Sequence, residues 1–272
     1  MKSNLFSVLI SVYCKENPLF LRESLSSIFN QTIWPTEVVL IKDGPLNREL
    51  DAVIDEFSFK YPIFKIIAND KNLGLGLSLA LGIESCSNEY IARMDTDDNM
   101  PCDRFEKELK KINEGYDVVS CWSLLYDVDI QNPVAIKKRP ASHKEILALA
   151  KKRSPICHAG CMYRRSMVLK AGNYQHCNLY EDYHLWARMF LSGARFFNIQ
   201  EVLYYVRTSS EMIGRRGGWL YAFNEIRTFM YFYKIGFYTL MDLFRNVVTH
   251  FPVRMMPLFL RSYAMRKLWN YK

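Results

Sequence analysis

Four short apolar, β-rich runs alternate with four helical patterns before residue 115, and this alternation constrains the fold more than any other feature. Phe6–Tyr13, Val38–Ile41, Phe64–Ala68 and Tyr90–Met94 read as buried strands. Between them, Leu21, Leu25, Ile28 and Phe29 share one helix face, Leu50, Ile54 and Phe57 share another, and Leu75–Ile83 continues the pattern. Pro101 suits the first turn of a fourth helix running to about Asn113. Strand and helix in strict alternation predict βαβ units and a mostly parallel, doubly wound α/β sheet. Ligands bind such sheets beyond the carboxyl ends of the strands. Those ends carry Tyr13, Cys14, Lys15 and Glu16 after the first strand, Lys42-Asp43-Gly44 after the second and Asp95-Thr96-Asp97-Asp98 after the fourth. Acids from separate strands on one rim are hard to explain by stability alone.

The 272 residues suffice for one large domain, alone or with an appendage. Half are hydrophobic and 24% are charged, which excludes global disorder. The seven cysteines contain no CxxC and form an odd set, so a reducing cytosol fits better than a disulfide framework. The apolar stretch Leu5–Cys14 runs into Lys15 and Glu16 without a cleavage pattern, and no stretch has the ~18–20 uncharged residues of a membrane span. A soluble or peripheral protein is expected.

Charge is unevenly placed. Residues 212–272 hold ten basic side chains against Glu225 and Asp242, so the whole net charge of +8 resides there, beside 15 aromatics. A basic, aromatic-rich helical appendage fits an anionic membrane surface; nucleic acid is the less favoured partner, and a solvated helical cap is the plain alternative. Within it, Arg215-Arg216-Gly217-Gly218 precedes a helix starting near Trp219, a pattern suited to a diphosphate.

Three carboxylates in Asp95-Thr96-Asp97-Asp98 repel one another unless a cation sits among them, and Mg²⁺ or Mn²⁺ prefers such oxygen ligands together with substrate phosphates. An Asx-rich turn is the competing reading. Glu181-Asp182 opens a helical stretch to Met189, where a carboxylate serves either as general base or as a dipole partner. His158, between Cys157 and Cys161, reads as a pocket residue, because the spacing matches no common zinc pattern.

In this order, SVYCKENPLFLRESLSSIFNQT, VLIKDGP, NLGLGLSLALGI, IARMDTDDNMPCDRF, EDYHLWARM and VLYYVR resemble glycosyltransferase family 2, in its bacterial O-antigen, capsule and exopolysaccharide branch. The resemblance spans about Phe6 to Arg216. It implies a GT-A fold, a UDP-sugar donor, Mn²⁺ or Mg²⁺, and an inverting single displacement onto a polyprenyl-pyrophosphate-linked saccharide at the inner face of the cytoplasmic membrane. Carried over by position, Tyr13, Glu16 and Asp43 hold the nucleoside, with Asp43 at the uracil edge and Asn72 and Gly74 lining the same pocket. Asp97 touches the metal, and Asp95 touches the ribose or a metal-bound water. Asp98 is an alternative metal ligand. Asp182 is the base, and Glu181, His158, Arg215 and Arg216 contact acceptor or diphosphate. The family's frequent third-helix arginine is absent, since Ser78–Gly82 reads SLALG, and Arg93 is its candidate substitute. The Gln-x-x-Arg-Trp motif of processive synthases is also missing, which favours one sugar per encounter. The implied organisation is a transferase domain over 1–211, with donor half 1–115 and acceptor half 116–211, and a helical appendage over 212–272.

Two other classes compete. A metal-dependent nucleotidyltransferase also needs acids on an α/β rim, but residues 14–18, CKENP, are no glycine-rich triphosphate loop. A non-catalytic membrane-surface module would leave the acids dispensable.

Overall fold

The computed structural model describes residues 5–177, 179–208, 217–257 and 259–261. The alternating pattern is realised as β1 (Phe6–Val12), α1 (Pro18–Phe29), β2 (Glu37–Lys42), α2 (Arg48–Lys60), β3 (Phe64–Ala68), α3 (Leu75–Ser85), β4 (Tyr90–Met94) and α4 (Arg104–Asn113). Local chemistry fixes the boundaries. The Asn17 side chain accepts the Leu19 amide with Pro18 next in line, and the Asn47 side chain accepts the Leu50 amide. The fourth helix starts at Arg104, later than Pro101 suggested. Instead, the Pro101 carbonyl accepts the Gln31 side chain at 2.7 Å and the Cys102 carbonyl accepts the Thr32 amide at 2.7 Å, tying the loop after β4 to the end of α1.

β1 lies between β2 and β4, and β3 flanks β2, all parallel. Alternation along the buried strands feeds two cores. Val8, Ile10, Leu40 and Met94 pack against α1, α2 and α4, whereas Leu9, Val39, Ile41 and Ile91 pack under α3 and α7.

The second half turns the sheet antiparallel. β5 (Val118–Tyr126), β6 (Ala135–Lys137), α5 (His143–Ala150), β7 (Cys161–Arg164), α6 (Arg165–Lys170), α7 (Glu181–Leu191) and β8 (Phe196–Arg207) follow. β7 runs antiparallel to β4 and to β5, giving the order β3-β2-β1-β4-β7-β5-β6 with β8 paired parallel to β5. The sheet is therefore mixed, with a parallel N-terminal half.

α8 (Trp219–Lys234) and α9 (Leu240–Met255) form the appendage. They do not stand apart. Phe229, Phe232, Phe237 and Tyr238 share an apolar cluster with Ala150, Tyr183 and Ala187. Tyr180, Tyr183, His184 and Ala187 lie one helical stripe apart, so the appendage docks along one face of α7. Among the described residues, no helix is long and apolar enough to cross a membrane.

Candidate active site

The carboxyl end of β4 opens directly into Asp95, Asp97 and Asp98, whose ligand oxygens lie within 4.8 Å of one another. This is the metal-competent group of His, Cys, Asp and Glu side chains among the described residues. The turn is held from several sides. The Asp95 amide donates to the Tyr204 hydroxyl at 3.1 Å, and Ser24 donates to the Asp95 carbonyl at 2.7 Å. The Arg207 amide donates to Asp98 Oδ1 at 2.8 Å, while the Arg207 guanidinium reaches the Asp97 carbonyl and Glu23. Beneath it, Arg104 pairs with Glu108, both fully buried, and donates to the Arg93 carbonyl at 2.8 Å.

Burial, and then the neighbouring carboxylates, push Asp97 up to about 6 and drive Asp98 upward as well. Glu16, at the end of β1, faces the same group. Burial first, then the charges of Asp97 and Asp95, lift it to about 7 against the opposing hydrogen bond with Thr96. An all-oxygen donor set carrying this much unmet negative charge fits a hard divalent cation.

Arg93 supplies the counter-charge. It is fully buried on β4, ion-paired to Asp95, and its Nε and Nη2 have no hydrogen-bond partner. Burial works against its charge, but Asp95 keeps it protonated. Across from it stands the start of α7. Burial and then Asp182 raise Glu181, while Arg93 pulls the other way. Asp182 accepts the Ser154 hydroxyl at 3.0 Å. His158 Nε2 lies 2.8 Å from the Tyr174 hydroxyl, and burial together with the charge of Arg93 keeps the ring neutral.

A cavity of about 240 Å³ separates α7 from the loop before α3, with Leu73, Gly74, Gly76, Gln175, His176 and Glu181 among its walls. A Cβ on Gly76 would stand 3.2 Å from the Glu181 Cβ, so glycine keeps this gap open. Asp43 shapes the loop itself. Its carboxylate accepts the Leu73 amide at 2.7 Å, the Gly74 amide at 3.1 Å and the Asn69 side chain at 3.2 Å, while Asn72 donates to its carbonyl. Gly44 takes φ +88° there, where a Cβ would meet the Asn72 nitrogen at 2.7 Å. Ser78, at the start of the SLALG stretch that lacks the family's arginine, accepts the Asn69 side chain. Tyr13 closes the β1 turn, its carbonyl accepting the Glu16 amide at 3.1 Å.

The fold thus gathers Glu16, Asp95, Asp97 and Asp98 into one acidic group. Arg93 and Glu181 are linked to it by their charges, the neutral His158 lies in the field of Arg93, and Asp43, Asn72 and Gly74 form one wall. Arg215 and Arg216 lie outside the described residues. Sequence reasoning assigned no role to Tyr204, Arg207, Ser154 or Arg104. The first two sat in the quoted VLYYVR segment, where a signal was available.

Comparison with known proteins decides the family. The profile of glycosyl transferase family 2 matches residues 7–172. The chain belongs to glycosyltransferase family 2. As a family 2 glycosyltransferase it is 37% identical over 265 residues to the UDP-Gal:alpha-D-GlcNAc-diphosphoundecaprenol beta-1,3-galactosyltransferase of Escherichia coli, covering 97% of this chain and 96% of that protein. It is 36% identical to the amylovoran biosynthesis glycosyltransferase AmsE of Erwinia amylovora, covering 93% and 96%. Its fold is shared with TarS of S. aureus, at TM-score 0.66 and 16% identity over 92% of this chain and 43% of that one. It is shared also with the mannosyltransferase PcManGT from Pyrobaculum calidifontis, at TM-score 0.68 and 14% identity over 98% and 76%. The GT-A expectation therefore holds, with a helical C-terminal region.

Proposed function

We propose that this glycosyltransferase is inverting and non-processive, moving one sugar from a UDP-sugar to a hydroxyl of a lipid-pyrophosphate-linked glycan in bacterial surface polysaccharide synthesis. One observation carries the reading: the three-carboxylate group beside a buried arginine with two unpartnered nitrogens, in the electrostatic reach of Glu181. The E. coli relative, whose name gives a UDP-Gal donor and a diphosphoundecaprenol acceptor, supports donor and acceptor class.

In this reading Asp97 and Asp95 would hold the cation, with Asp98 behind them, and Mn²⁺ or Mg²⁺ there would supply charge neutralisation for the UDP leaving group. Arg93, ion-paired to Asp95 and shut off from solvent, acts on the donor diphosphate through its positive charge rather than by direct contact. Tyr13, Asn72 and Gly74 line the nucleoside side, and Asp43 acts by holding the Leu73–Gly74 amides in place. Glu16 faces the acids at the end of β1. Asp182, steadied by Ser154, takes the proton from the acceptor hydroxyl as its oxygen attacks the anomeric carbon and the bond to diphosphate breaks. Glu181, His158, Arg215 and Arg216 contact acceptor or diphosphate. The donor half spans 1–115 and the acceptor half 116–211, with 212–272 as the appendage.

The test is incubation with a panel of nucleotide sugars, Mn²⁺ and a lipid-pyrophosphate saccharide, reading release of free nucleotide. Release from a UDP-sugar is expected. Exhaustive chelation removes it, and Mn²⁺ or Mg²⁺, but not Zn²⁺ selectively, restores it. Full activity after chelation would overturn the metal role; release of pyrophosphate from a nucleoside triphosphate would favour nucleotidyl transfer.

The appendage is proposed to lie on the cytoplasmic face of the membrane. Six of the ten basic side chains fall on or after α9: Arg245, Arg254, Arg261, Arg266, Lys267 and Lys272. Three of them are engaged: Arg245 with Asp242 and the Lys151 carbonyl, Arg254 with Glu225, and Arg261, which is buried. Arg266, Lys267 and Lys272 lie outside the described residues. What α8 and α9 expose is largely apolar, including Trp219, Leu220, Phe223, Leu240, Met241 and Phe244. Binding to anionic vesicles is therefore expected to keep a salt-resistant component, and Phe244→Asp should weaken it. Binding wholly abolished by salt would return the role to charge, and absence of binding would make the appendage a structural cap.

A further inference from the structure

The helix bearing Glu181 and Asp182 begins on an unusual residue. Tyr180 adopts φ +67°, one of two non-glycine residues in the left-handed region among the described residues, and its side chain makes no capping bond to α7. A bulky residue holds that conformation where its surroundings over-determine it. Here they come from the appendage. The Tyr180 hydroxyl donates to Glu225 Oε1 at 2.7 Å and lies 2.9 Å from the Tyr221 hydroxyl. Glu225, on α8, is buried, and its carboxylate accepts Arg254 Nη2 at 2.7 Å, Arg254 Nε at 2.9 Å and His250 Nδ1 at 3.0 Å, both from α9. Arg254 Nη2 also reaches the Tyr180 hydroxyl at 3.3 Å. A buried network crossing three elements therefore terminates on the residue immediately before Glu181.

Its placement is hard to account for by packing alone. α7 already docks on the appendage through Tyr183, His184 and Ala187. A buried carboxylate paired with one arginine and hydrogen-bonded by a histidine is a costly way to add contact area, because its desolvation consumes much of the gain. A polar network does what apolar contact does not: it fixes one geometry. The first two side chains of a helix swing with the φ and ψ of the residue before it.

We propose that Glu225 is a positioning residue for sugar transfer, setting the direction of Glu181 and Asp182 by clamping the left-handed Tyr180. The proposal rests on the reading of Asp182 as base. It makes the appendage part of the catalytic apparatus, whichever surface it meets. Deletion from Phe237 removes Arg254 and His250, the α9 partners of Glu225, together with the buried Phe237 and Tyr238.

The experiment uses the full chain with Tyr180→Phe, Glu225→Gln, Glu225→Asp and, as reference, Asp182→Asn. Steady-state transfer, UDP affinity, thermal midpoint and amide exchange over residues 179–184 are read together. Tyr180→Phe deletes one oxygen and keeps the ring, so the fold should survive. Its kcat is expected to fall about tenfold or more, since small misplacements of a reacting group cost this much. UDP affinity should stay unchanged and exchange at the start of α7 should quicken. Glu225→Gln should behave alike, with Glu225→Asp recovering part of the loss.

Unchanged kcat in Tyr180→Phe, with Asp182→Asn inactive, would overturn the positioning role and leave the base reading standing. Loss of UDP affinity in step with kcat would also overturn it, marking general damage. Should Asp182→Asn remain active, the base reading falls and amide exchange decides alone. Faster exchange in Tyr180→Phe would uphold the clamp, and unchanged exchange would overturn it.

Discussion

Asp97→Asn is expected to abolish turnover and to leave the protein folded. The side chain sits with Asp95 and Asp98 inside a 4.8 Å group, and burial with its neighbours lifts it to about 6. The same burial and repulsion decide what the substitution does to the metal-free fold. A carboxylate whose folded pKa is raised opposes folding once pH exceeds its unfolded value, near 3.8, and does so fully above about 6. Removing the charge at neutral pH therefore relieves repulsion, and the thermal midpoint should hold or rise. Activity moves the opposite way. A neutral amide is a weaker ligand for a hard cation, and losing several kcal/mol of transition-state stabilisation costs about 10³-fold or more. The check is turnover at saturating Mn²⁺ alongside the midpoint with and without Mn²⁺. Wild-type protein should gain a metal-dependent upshift, by linkage, that the variant lacks. Wild-type turnover in the variant, with trace metal controlled, would remove Asp97 from the site.

Much of this was legible in the sequence, for a physical reason. β1, β2 and β4 are buried on both faces, so they appear as short, mostly apolar runs, and their ends announce themselves by sudden polarity. Asp43, Asp95 and Asp97 were found that way. The antiparallel half was not. β5 and β8 pair along their length, yet β8 reads FFNIQEVLYYVR, and its pairing skips register opposite Cys121–Ser123, so no clean alternation reaches the eye. Tyr204 and Arg207, which hold the acidic turn, stood inside that strand without a role.

Charge was legible as a total and misleading in its parts. The basic excess of the last helices is real, but a sequence does not say which arginines are already paired. Arg254 counts toward that excess and is committed to Glu225, whose carboxyl it and His250 hold down at about 2 despite burial. Arg93, by contrast, sat in a strand among apolar neighbours. Its position invited suspicion, and the structure leaves two of its nitrogens without partners beside Asp95.

Asp182→Asn is expected to lower kcat by about 10²–10⁴, the range a positioned base supplies, and to leave UDP affinity near that of the wild type. Asparagine is close to isosteric, and its amide oxygen still accepts the Ser154 hydroxyl that meets Asp182 at 3.0 Å, so the start of α7 keeps its shape. What disappears is the capacity to take a proton. The decisive comparison is with Glu181→Gln. Glu181 lies in the field of Arg93 and Asp95, on the donor side, whereas Asp182 turns to the Ser154 loop. If Asp182 is the base, Asp182→Asn loses transfer with donor binding intact, and Glu181→Gln disturbs donor affinity or KM more than the chemical step. The reverse pattern, with Glu181→Gln losing kcat alone and Asp182→Asn retaining it, would move the base one residue along the helix. Donor affinity collapsing in Asp182→Asn would make that side chain a donor ligand.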